Sequence, residues 1–422
     1  MKADIVVHNI GQLVTCASGG KPKRGAEMRD VGIIEDGAVA IAGSKFAGVG
    51  SSLDILREFQ ADELIDAEGR VVCPGFVDPH THIVYAGDRL DEFEMEIKGA
   101  DYLEILAAGG GIISTVRDTR AAAMEQLVDL SLKRLDKMLT CGTTTCEIKT
   151  GYGLDTDTEL KMLAVIEELG RRRPMTIVPT FMPAHAVPAE YKGNSEKYVN
   201  LICDTMLSAA WKWFVASSFY GQVPFFCDVF CEKGAFTAQQ SKRILETARS
   251  LGFRTKAHVG QFNDLGGVGV ALNTGATSVD HLDAISADDV SLLAASSTIA
   301  VVIPTENFNA GKTKFADARK LIDNGCAFAL STDYNPGSAP CPSQPMAMAI
   351  AARYQKLLPE ECINAATINA AHAIGLGDRV GSIEIGKRAD LLLLDIRNCA
   401  ELVYEFGGNL IDRVFCGGRS AV

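Results

Sequence analysis

The sequence predicts an α/β protein in which a TIM-type (β/α)8 barrel carries a small β-sandwich domain formed from both chain ends. Eight short segments rich in β-branched and apolar residues recur in the middle of the chain, and most are separated by stretches of helical periodicity. Short strand-like segments with few helices between them occupy both ends. The length of 422 residues fits one such barrel with insertions and one smaller domain.

Eight strands are the number that this closed parallel barrel requires. The helices between them have recognisable ends, because Thr237 can cap a helix that runs to Leu251, and Ser286 with Asp289 resembles a capping box. This alternation indicates repeated βα units. The strand segments are Val71 to Val77, Thr143 to Ile148, Thr176 to Phe181, Phe226 to Phe230, Arg254 to His258, Thr277 to Asp280, Ile299 to Ile303 and Ala327 to Ser331.

The two chain ends are expected to meet in one β-sandwich. We predict that residues 1–70 form its N-terminal part, residues 71–378 the barrel, and residues 379–422 its C-terminal part. The strand-like segments of the sandwich are Ile5 to Val7, Gly37 to Ala42, Phe46 to Val49, Gly381 to Ile385, Ala389 to Leu394 and Asp412 to Cys416.

Composition excludes several classes of protein. With 47% hydrophobic and 22% charged residues the chain can bury a large core. A net charge of -12 without a basic block argues against nucleic acid as a partner. The first residues show no secretory pattern, and the apolar runs are too short for a membrane span, so we expect a cytoplasmic protein with free thiols at its 12 cysteines.

The strongest local signal is a pair of histidines two positions apart. His80 and His82 follow an extended apolar segment, and side chains at i and i+2 of a strand point to the same side. Both imidazoles can therefore bind one metal ion. By itself such a pair is as often structural as functional.

Further candidate ligands fall at the ends of other barrel strands. His258 ends the fifth segment, His281 follows the sixth and Asp333 follows the eighth, and barrels of this class place their chemistry at the carboxyl ends of the strands. Three imidazoles and one carboxylate suit zinc or iron with an open position for water. His281 better suits stabilisation of an oxyanion than a further ligand position, although spacing alone does not decide between the two roles.

Longer runs of the sequence resemble the imidazolonepropionase family of single-metal amidohydrolases over almost the whole chain. The runs are Asp78 to His82, Ala86 to Arg89, Gly109 to Arg117, Lys149 to Leu154, Ala184 to Pro188, Asp228 to Glu232 and Ser331 to Ser338.

This resemblance implies hydrolysis of the ring amide of 4-imidazolone-5-propionate to N-formimidoyl-L-glutamate in histidine catabolism, by a cytosolic homodimer. It implies a single metal ion per chain, which the residue types above predict to be Zn2+ or Fe3+. From its position at a strand end, Asp333 is expected to bind the ion through one oxygen and accept the proton of the water through the other, while His281 is expected to stabilise the oxyanion. The metal ligands that the resemblance implies are His80, His82, His258 and Asp333. The substrate-binding residues that it implies are Arg89, Tyr102, Tyr152, His185, Asn335, Gly337 and Ser338.

One stretch departs from the family pattern. Members usually carry an acidic residue two or three positions after the fifth-strand histidine, whereas Gly260 and Gln261 stand here. We expect Gln261 to hydrogen-bond the ring amide as a neutral donor and acceptor, with Glu306 on the next loop as a weaker candidate for the missing carboxylate. Lys149 is interpreted as structural or as a residue that supports the metal ligands from a second layer.

Three other functions stay open at this stage. The chain could hydrolyse a hydantoin-like acid, or it could deaminate a cyclic amidine or purine. A cation at Arg89 favours a substrate with a carboxylate over a neutral nucleobase. A binding protein that kept the barrel and lost turnover would not need intact metal ligands.

Overall fold

The computed structural model describes residues 1–99 and 110–422, so Tyr102 lies outside the described residues. Sixteen strands form two sheets within these ranges. In chain order they are β1 (Lys2–Val14), β2 (Ile33–Ala42), β3 (Lys45–Ser51), β4 (Gln60–Asp66), β5 (Val71–Pro74), β6 (Phe76–Asp78), β7 (Thr143–Lys149), β8 (Thr176–Ala184), β9 (Phe226–Cys231), β10 (Arg254–Val259), β11 (Ser278–His281), β12 (Ile299–Val302), β13 (Phe328–Leu330), β14 (Leu391–Leu394), β15 (Ile411–Cys416) and β16 (Arg419–Ser420).

Most of the helices follow barrel strands. No helix in the described part of the chain is long and apolar enough to cross a membrane. The α-helices are Ser52–Glu58, Leu90–Ile97, Ile112–Ala121, Met124–Thr140, Thr156–Arg172, Ser195–Leu201, Leu207–Ala216, Ala238–Leu251, Gly267–Asn273, Ala287–Ala294, Pro304–Asn309, Ala318–Asp323, Gln344–Tyr354, Pro359–Ala365, Ile368–Ala373 and Glu401–Tyr404.

The barrel consists of β6 to β13, which pair in parallel with their neighbours in sequence. A parallel bridge between Thr81 and Tyr334 joins the chain after β6 to the chain after β13. The buried Asp78 carboxylate reinforces this closure, because it accepts hydrogen bonds from the hydroxyls of Ser331 and Thr332. The predicted barrel is confirmed, and the carboxyl ends of its strands meet on one face.

The two chain ends come together, as the sequence predicted, in a mixed sheet of eight strands. Its order is β16-β15-β14-β5-β1-β2-β3, with β4 paired to β1. Its apolar core includes Leu13, Phe46, Leu391 and Phe415, which come from both ends of the chain. The division of the chain at residues 70 and 378 stays a prediction.

The predicted segment from Val71 to Val77 is two strands rather than one. β5 pairs with β1 and β14 of the mixed sheet, whereas β6 begins the barrel. The chain passes from one sheet to the other at Gly75, where a Cβ atom would lie 2.2 Å from Thr144 Oγ1. Only glycine fits this close approach.

Two further strand assignments differ from the sequence analysis. The strand predicted from Gly381 to Ile385 is wrong, since this segment has no regular structure and Gly381 has a φ of +83°. β4 was not predicted, because its largely exposed, polar side chains give no apolar alternation.

Candidate metal centre and active site

The predicted ligands converge at the carboxyl ends of the barrel strands. His80 and His82 follow β6, His258 is the second-last residue of β10, and Asp333 follows β13. None of these four residues is more than 3% exposed. Barrels of this class carry their active sites on this face.

Nitrogen and oxygen atoms of these side chains face one another across short distances. His80 Nε2 lies 3.3 Å from His82 Nε2. Asp333 Oδ1 lies 3.5 Å from His80 Nε2 and 3.6 Å from His82 Nε2. Ligand atoms of His80, His82 and His258 lie within 4.8 Å of one another, and so do those of His80, His281 and Asp333.

The donor set fits a metal ion. His258 Nε2 and Asp333 Oδ1 are buried and have no hydrogen-bond partner in the described part of the chain. Buried polar atoms of this kind are costly unless something binds them. Imidazole nitrogens and one carboxylate oxygen are typical ligands of zinc and related transition metals. The residues present therefore fit one cation.

Burial keeps these imidazoles in the neutral form that binds metals. It lowers the pKa of His80 and of His82 well below the usual value, and it lowers the pKa of His258 to about 4 despite the opposing effect of Asp228. Burial raises the pKa of Asp333 to about 8. A nearby cation would favour the ionised carboxylate.

Two carboxylates orient candidate ligands by contacting the Nδ1 atom of the imidazole ring. Asp280 Oδ2 lies 2.7 Å from His80 Nδ1, and Asp228 Oδ1 lies 3.1 Å from His258 Nδ1. Such contacts fix the imidazole tautomer, because the proton stays on Nδ1 and the lone pair of Nε2 is free to bind a metal ion.

A buried network of opposite charges lies beneath these carboxylates. Lys149 Nζ is 2.7 Å from both Asp228 Oδ2 and Glu147 Oε2. Lys256 Nζ is 3.0 Å from Glu147 Oε1 and 3.5 Å from Asp280 Oδ2. All five side chains are fully buried. Lys149 was expected to be structural or to support the metal ligands from a second layer, whereas Glu147 and Lys256 were not singled out from the sequence.

A sequence signal for this network did exist. Ionisable residues stand at alternate positions of strands that are otherwise largely apolar. They are Glu147 and Lys149 in β7, and Lys256 and His258 in β10. In a parallel barrel, alternate side chains point to its interior. A charge inside an apolar strand therefore indicates a paired group within the barrel.

The comparison with known proteins agrees with this architecture. The sequence profile of the Amidohydrolase family matches residues 71–421. An imidazolonepropionase of Chloroflexus aggregans is 52% identical over 420 residues, which are 99% of this chain and 98% of that protein. The chain belongs to the imidazolonepropionase family. A family member from Herpetosiphon aurantiacus is 49% identical over 99% of this chain and 97% of its own length.

Solved structures share the fold at much lower identity. Guanine deaminase from E. coli has a TM-score of 0.73 at 16% identity and covers 99% of both chains. An adenosine deaminase from Xanthomonas campestris with bound zinc has a TM-score of 0.71 at 17% identity, over 99% of this chain and 93% of that one. These similarities show the amidohydrolase barrel.

Two predicted substrate residues lie beside the histidine cluster. The His185 ring stacks on His82 with centroids 4.8 Å apart, and its Nδ1 lies 3.1 Å from the Gly151 carbonyl oxygen. The ring of Tyr152, which is only 3% exposed, lies 5.4 Å from that of His185 and 5.9 Å from that of His82.

Arg89 is held at the site by Glu92. Nε and Nη2 of the guanidinium lie 2.8 and 2.5 Å from Glu92 Oε2. The guanidinium also packs on Gly337, where a Cβ atom would lie 2.4 Å from Nη1. Arg89 therefore keeps one face of its guanidinium toward the Gly337 loop.

Asn335 shapes that loop through its own hydrogen bonds. Its Oδ1 accepts from the backbone N–H groups of Gly337 at 2.8 Å and Ser338 at 2.9 Å, and its Nδ2 donates to the Asp333 carbonyl. In this arrangement Asn335 supports the turn that follows Asp333.

Two residues of the site have unusual backbone geometry. His281 and Asp333 have φ values of 84° and 48°, in the left-handed region that non-glycine residues rarely adopt. Backbone strain of this kind persists where the surrounding structure imposes it, often at functional sites.

Gln261 and Glu306 lie together next to His281. Glu306 Oε2 is 3.1 Å from His281 Nδ1, and the Gln261 side chain lies close to the same carboxylate. Burial alone would lower the pKa of His281, but the contact with Glu306 raises it overall. His281, Gln261 and Glu306 are all candidates from the sequence, but their proximity was not predicted.

Proposed function

We propose that this chain opens the ring amide of 4-imidazolone-5-propionate by hydrolysis and produces N-formimidoyl-L-glutamate, a step of histidine catabolism. Similarity to imidazolonepropionases over 99% of the chain carries the proposal. The buried donor cluster supports it, since hydrolysis of a cyclic amide needs an activated water and a group that polarises the carbonyl.

In the proposed site His80, His82, His258 and Asp333 hold one metal ion. When bound, the ion acts as a Lewis acid and lowers the pKa of water. The observation that supports this ligand set is the pair of unpartnered buried atoms, His258 Nε2 and Asp333 Oδ1. We propose zinc or iron as the ion, with one per chain.

The proton steps are assigned to this chain's own side chains. Asp333 takes the proton that the attacking water loses and returns it to the departing ring nitrogen. His281 donates from Nε2–H to the developing oxyanion as an imidazolium, since the contact of its Nδ1 with Glu306 raises its pKa despite burial. Gln261 hydrogen-bonds the ring amide.

We propose that Arg89 binds the propionate carboxylate of the substrate. Glu92 occupies Nε and Nη2, so Nη1 beside Gly337 is the position that we assign to this carboxylate. We assign further substrate contacts to Tyr152 and His185 beside the histidine cluster and to Ser338 on the Gly337 loop. Tyr102 stays a candidate from the family resemblance. A homodimer in the cytoplasm is part of the same proposal.

A panel of three substrates tests the reaction. Zinc- and iron-reconstituted protein is assayed with freshly generated 4-imidazolone-5-propionate, a hydantoin propionate and guanine, with metal-free protein as the control. We expect turnover of the imidazolone without release of ammonia. Preferential turnover of the hydantoin, or ammonia from guanine, would replace the proposal with one of the alternative reactions.

A further inference from the structure

Glu306 is a buried carboxylate at the edge of the site. It lies in the short helix Pro304–Asn309, directly after β12, and is 2% exposed. Burial of a charged group is unfavourable unless hydrogen bonds and opposite charges offset the lost hydration. The identity of those partners indicates what Glu306 does.

Both oxygens of Glu306 have partners. Oε2 lies 3.1 Å from His281 Nδ1, and Oε1 lies 3.1 Å from Lys312 Nζ. The Gln261 side chain contacts the same carboxylate. A carboxylate held on both sides in this way is poorly placed to accept a proton from substrate or water, so Glu306 is not suited to act as a free general base.

The contact with His281 repeats an arrangement found at two candidate metal ligands. Asp280 contacts Nδ1 of His80 and Asp228 contacts Nδ1 of His258. In each pair the carboxylate fixes the proton on Nδ1. Because Glu306 occupies Nδ1 of His281, Nε2 is left to face the group that His281 forms with His80 and Asp333.

We propose that Glu306 is the positioning residue of His281: it accepts the hydrogen bond from Nδ1–H and so fixes the ring orientation that points Nε2–H at the reacting carbonyl. This inference rests on the proposed hydrolytic function. It also gives a role to the charge at Glu306 in a chain that has Gly260 and Gln261 after the fifth-strand histidine.

A purely structural role is the main competing explanation, because Glu306 could simply anchor its loop. Asp283 offers a matched control. Its carboxylate lies in the same cluster and holds the same loops, since it accepts from the Asn307 side chain and from the Ala316 N–H at 3.0 Å. Among the described hydrogen bonds, none joins Asp283 to His281.

Kinetics of Glu306→Met, Glu306→Gln and Asp283→Asn form the first test. Outer carboxylates of this kind are worth about 10- to 100-fold in activity. We expect Glu306→Met to lower kcat by about that factor with little change in KM. Glu306→Gln should lose less, because it keeps an acceptor oxygen, and Asp283→Asn should stay near wild type. Equal losses for Glu306→Met and Asp283→Asn would overturn the proposal.

A double-mutant cycle with His281→Asn tests whether Glu306 acts through this histidine. In the His281→Asn background, Glu306→Met should cost almost nothing further in kcat, since the group that it positions is gone. Independent, multiplicative losses would assign Glu306 a role of its own and contradict the inference.

The Nδ1–H proton of His281 provides a readout that does not depend on activity. The 15N–1H spectra of histidine-labelled, zinc-loaded protein should show a protonated, hydrogen-bonded Nδ1 for His281, and Glu306→Met should shift or remove this Nδ1–H signal. An unchanged Nδ1–H signal in Glu306→Met would refute the positioning role. If the signal responds while no imidazolone is hydrolysed, the proposed function fails and the positioning contact stands.

Discussion

Lys149 and Asp228 form a fully buried ion pair beneath the histidine cluster, with 2.7 Å between Nζ and Oδ2. Asp228 in turn contacts His258 Nδ1. The burial of Asp228 alone would raise its pKa, but its contacts with His258 and Lys149 lower that pKa well below the usual value, so the carboxylate stays ionised. The buried charge of Lys149 therefore acts through Asp228 on the orientation of His258, a proposed metal ligand.

Lys149→Met should destabilise the fold and weaken metal binding. Removal of one partner of a buried pair leaves Asp228 and Glu147 short of a positive charge, at a cost of about 3–5 kcal/mol in the free energy of unfolding. Denaturant unfolding and metal titration measure the two effects. Lys98→Met is the matched control, because Lys98 pairs with Glu94 at the surface and its loss should leave both quantities unchanged.

Removal of the metal should abolish activity and lower the thermal stability of the protein. An ion that binds only the folded state stabilises it by mass action. Elemental analysis of purified protein should give one equivalent per chain, and the double variant His80→Ala with His82→Ala should retain none. Two equivalents, or tight retention in the double variant, would contradict the single-metal site.

Asp333→Asn should lower kcat by roughly 100-fold or more, because the amide cannot accept the proton of the attacking water. Asparagine tolerates the left-handed backbone that Asp333 adopts at φ 48°, so the fold should persist. Circular dichroism and thermal unfolding check this. Near-normal turnover would show that the proton passes to another group.

Arg89→Met should raise KM more than it lowers kcat, because a substrate carboxylate is bound alike in the ground and transition states. We expect a loss of about 2–4 kcal/mol in binding, as for one side of a charged pair. Glu92→Gln serves as the control, since it breaks the ion pair with Arg89 but keeps the cation. An unchanged KM in Arg89→Met would make a carboxylate-bearing substrate untenable.

The sequence was informative wherever a local rule determines geometry. The i, i+2 spacing of His80 and His82 predicts side chains on one face of a strand, and His258 and Asp333 stand where barrel strands end. Those four residues do lie together. The assignment of roles to them stays a prediction that the variants above test.

Contacts between residues that are distant in the chain could not be predicted from the sequence. The pairing of Lys256 with Glu147, and of Glu306 with His281, depends on the register of neighbouring strands and on the path of the loops after them. Gly75 shows the same limit, because one apolar run serves two sheets and only the packing against Thr144 reveals the break. Local periodicity carries no information on such long-range choices.

Incorporation of labelled oxygen tests the central claim most directly. Metal-loaded protein is incubated with 4-imidazolone-5-propionate in 18O-enriched water, and the product is analysed by mass spectrometry. Hydrolysis of the ring amide predicts N-formimidoyl-L-glutamate that carries one 18O atom in its α-carboxylate, with no ammonia released. Unchanged substrate with fully loaded metal, or a product that has lost nitrogen, would contradict a ring-opening amidohydrolase.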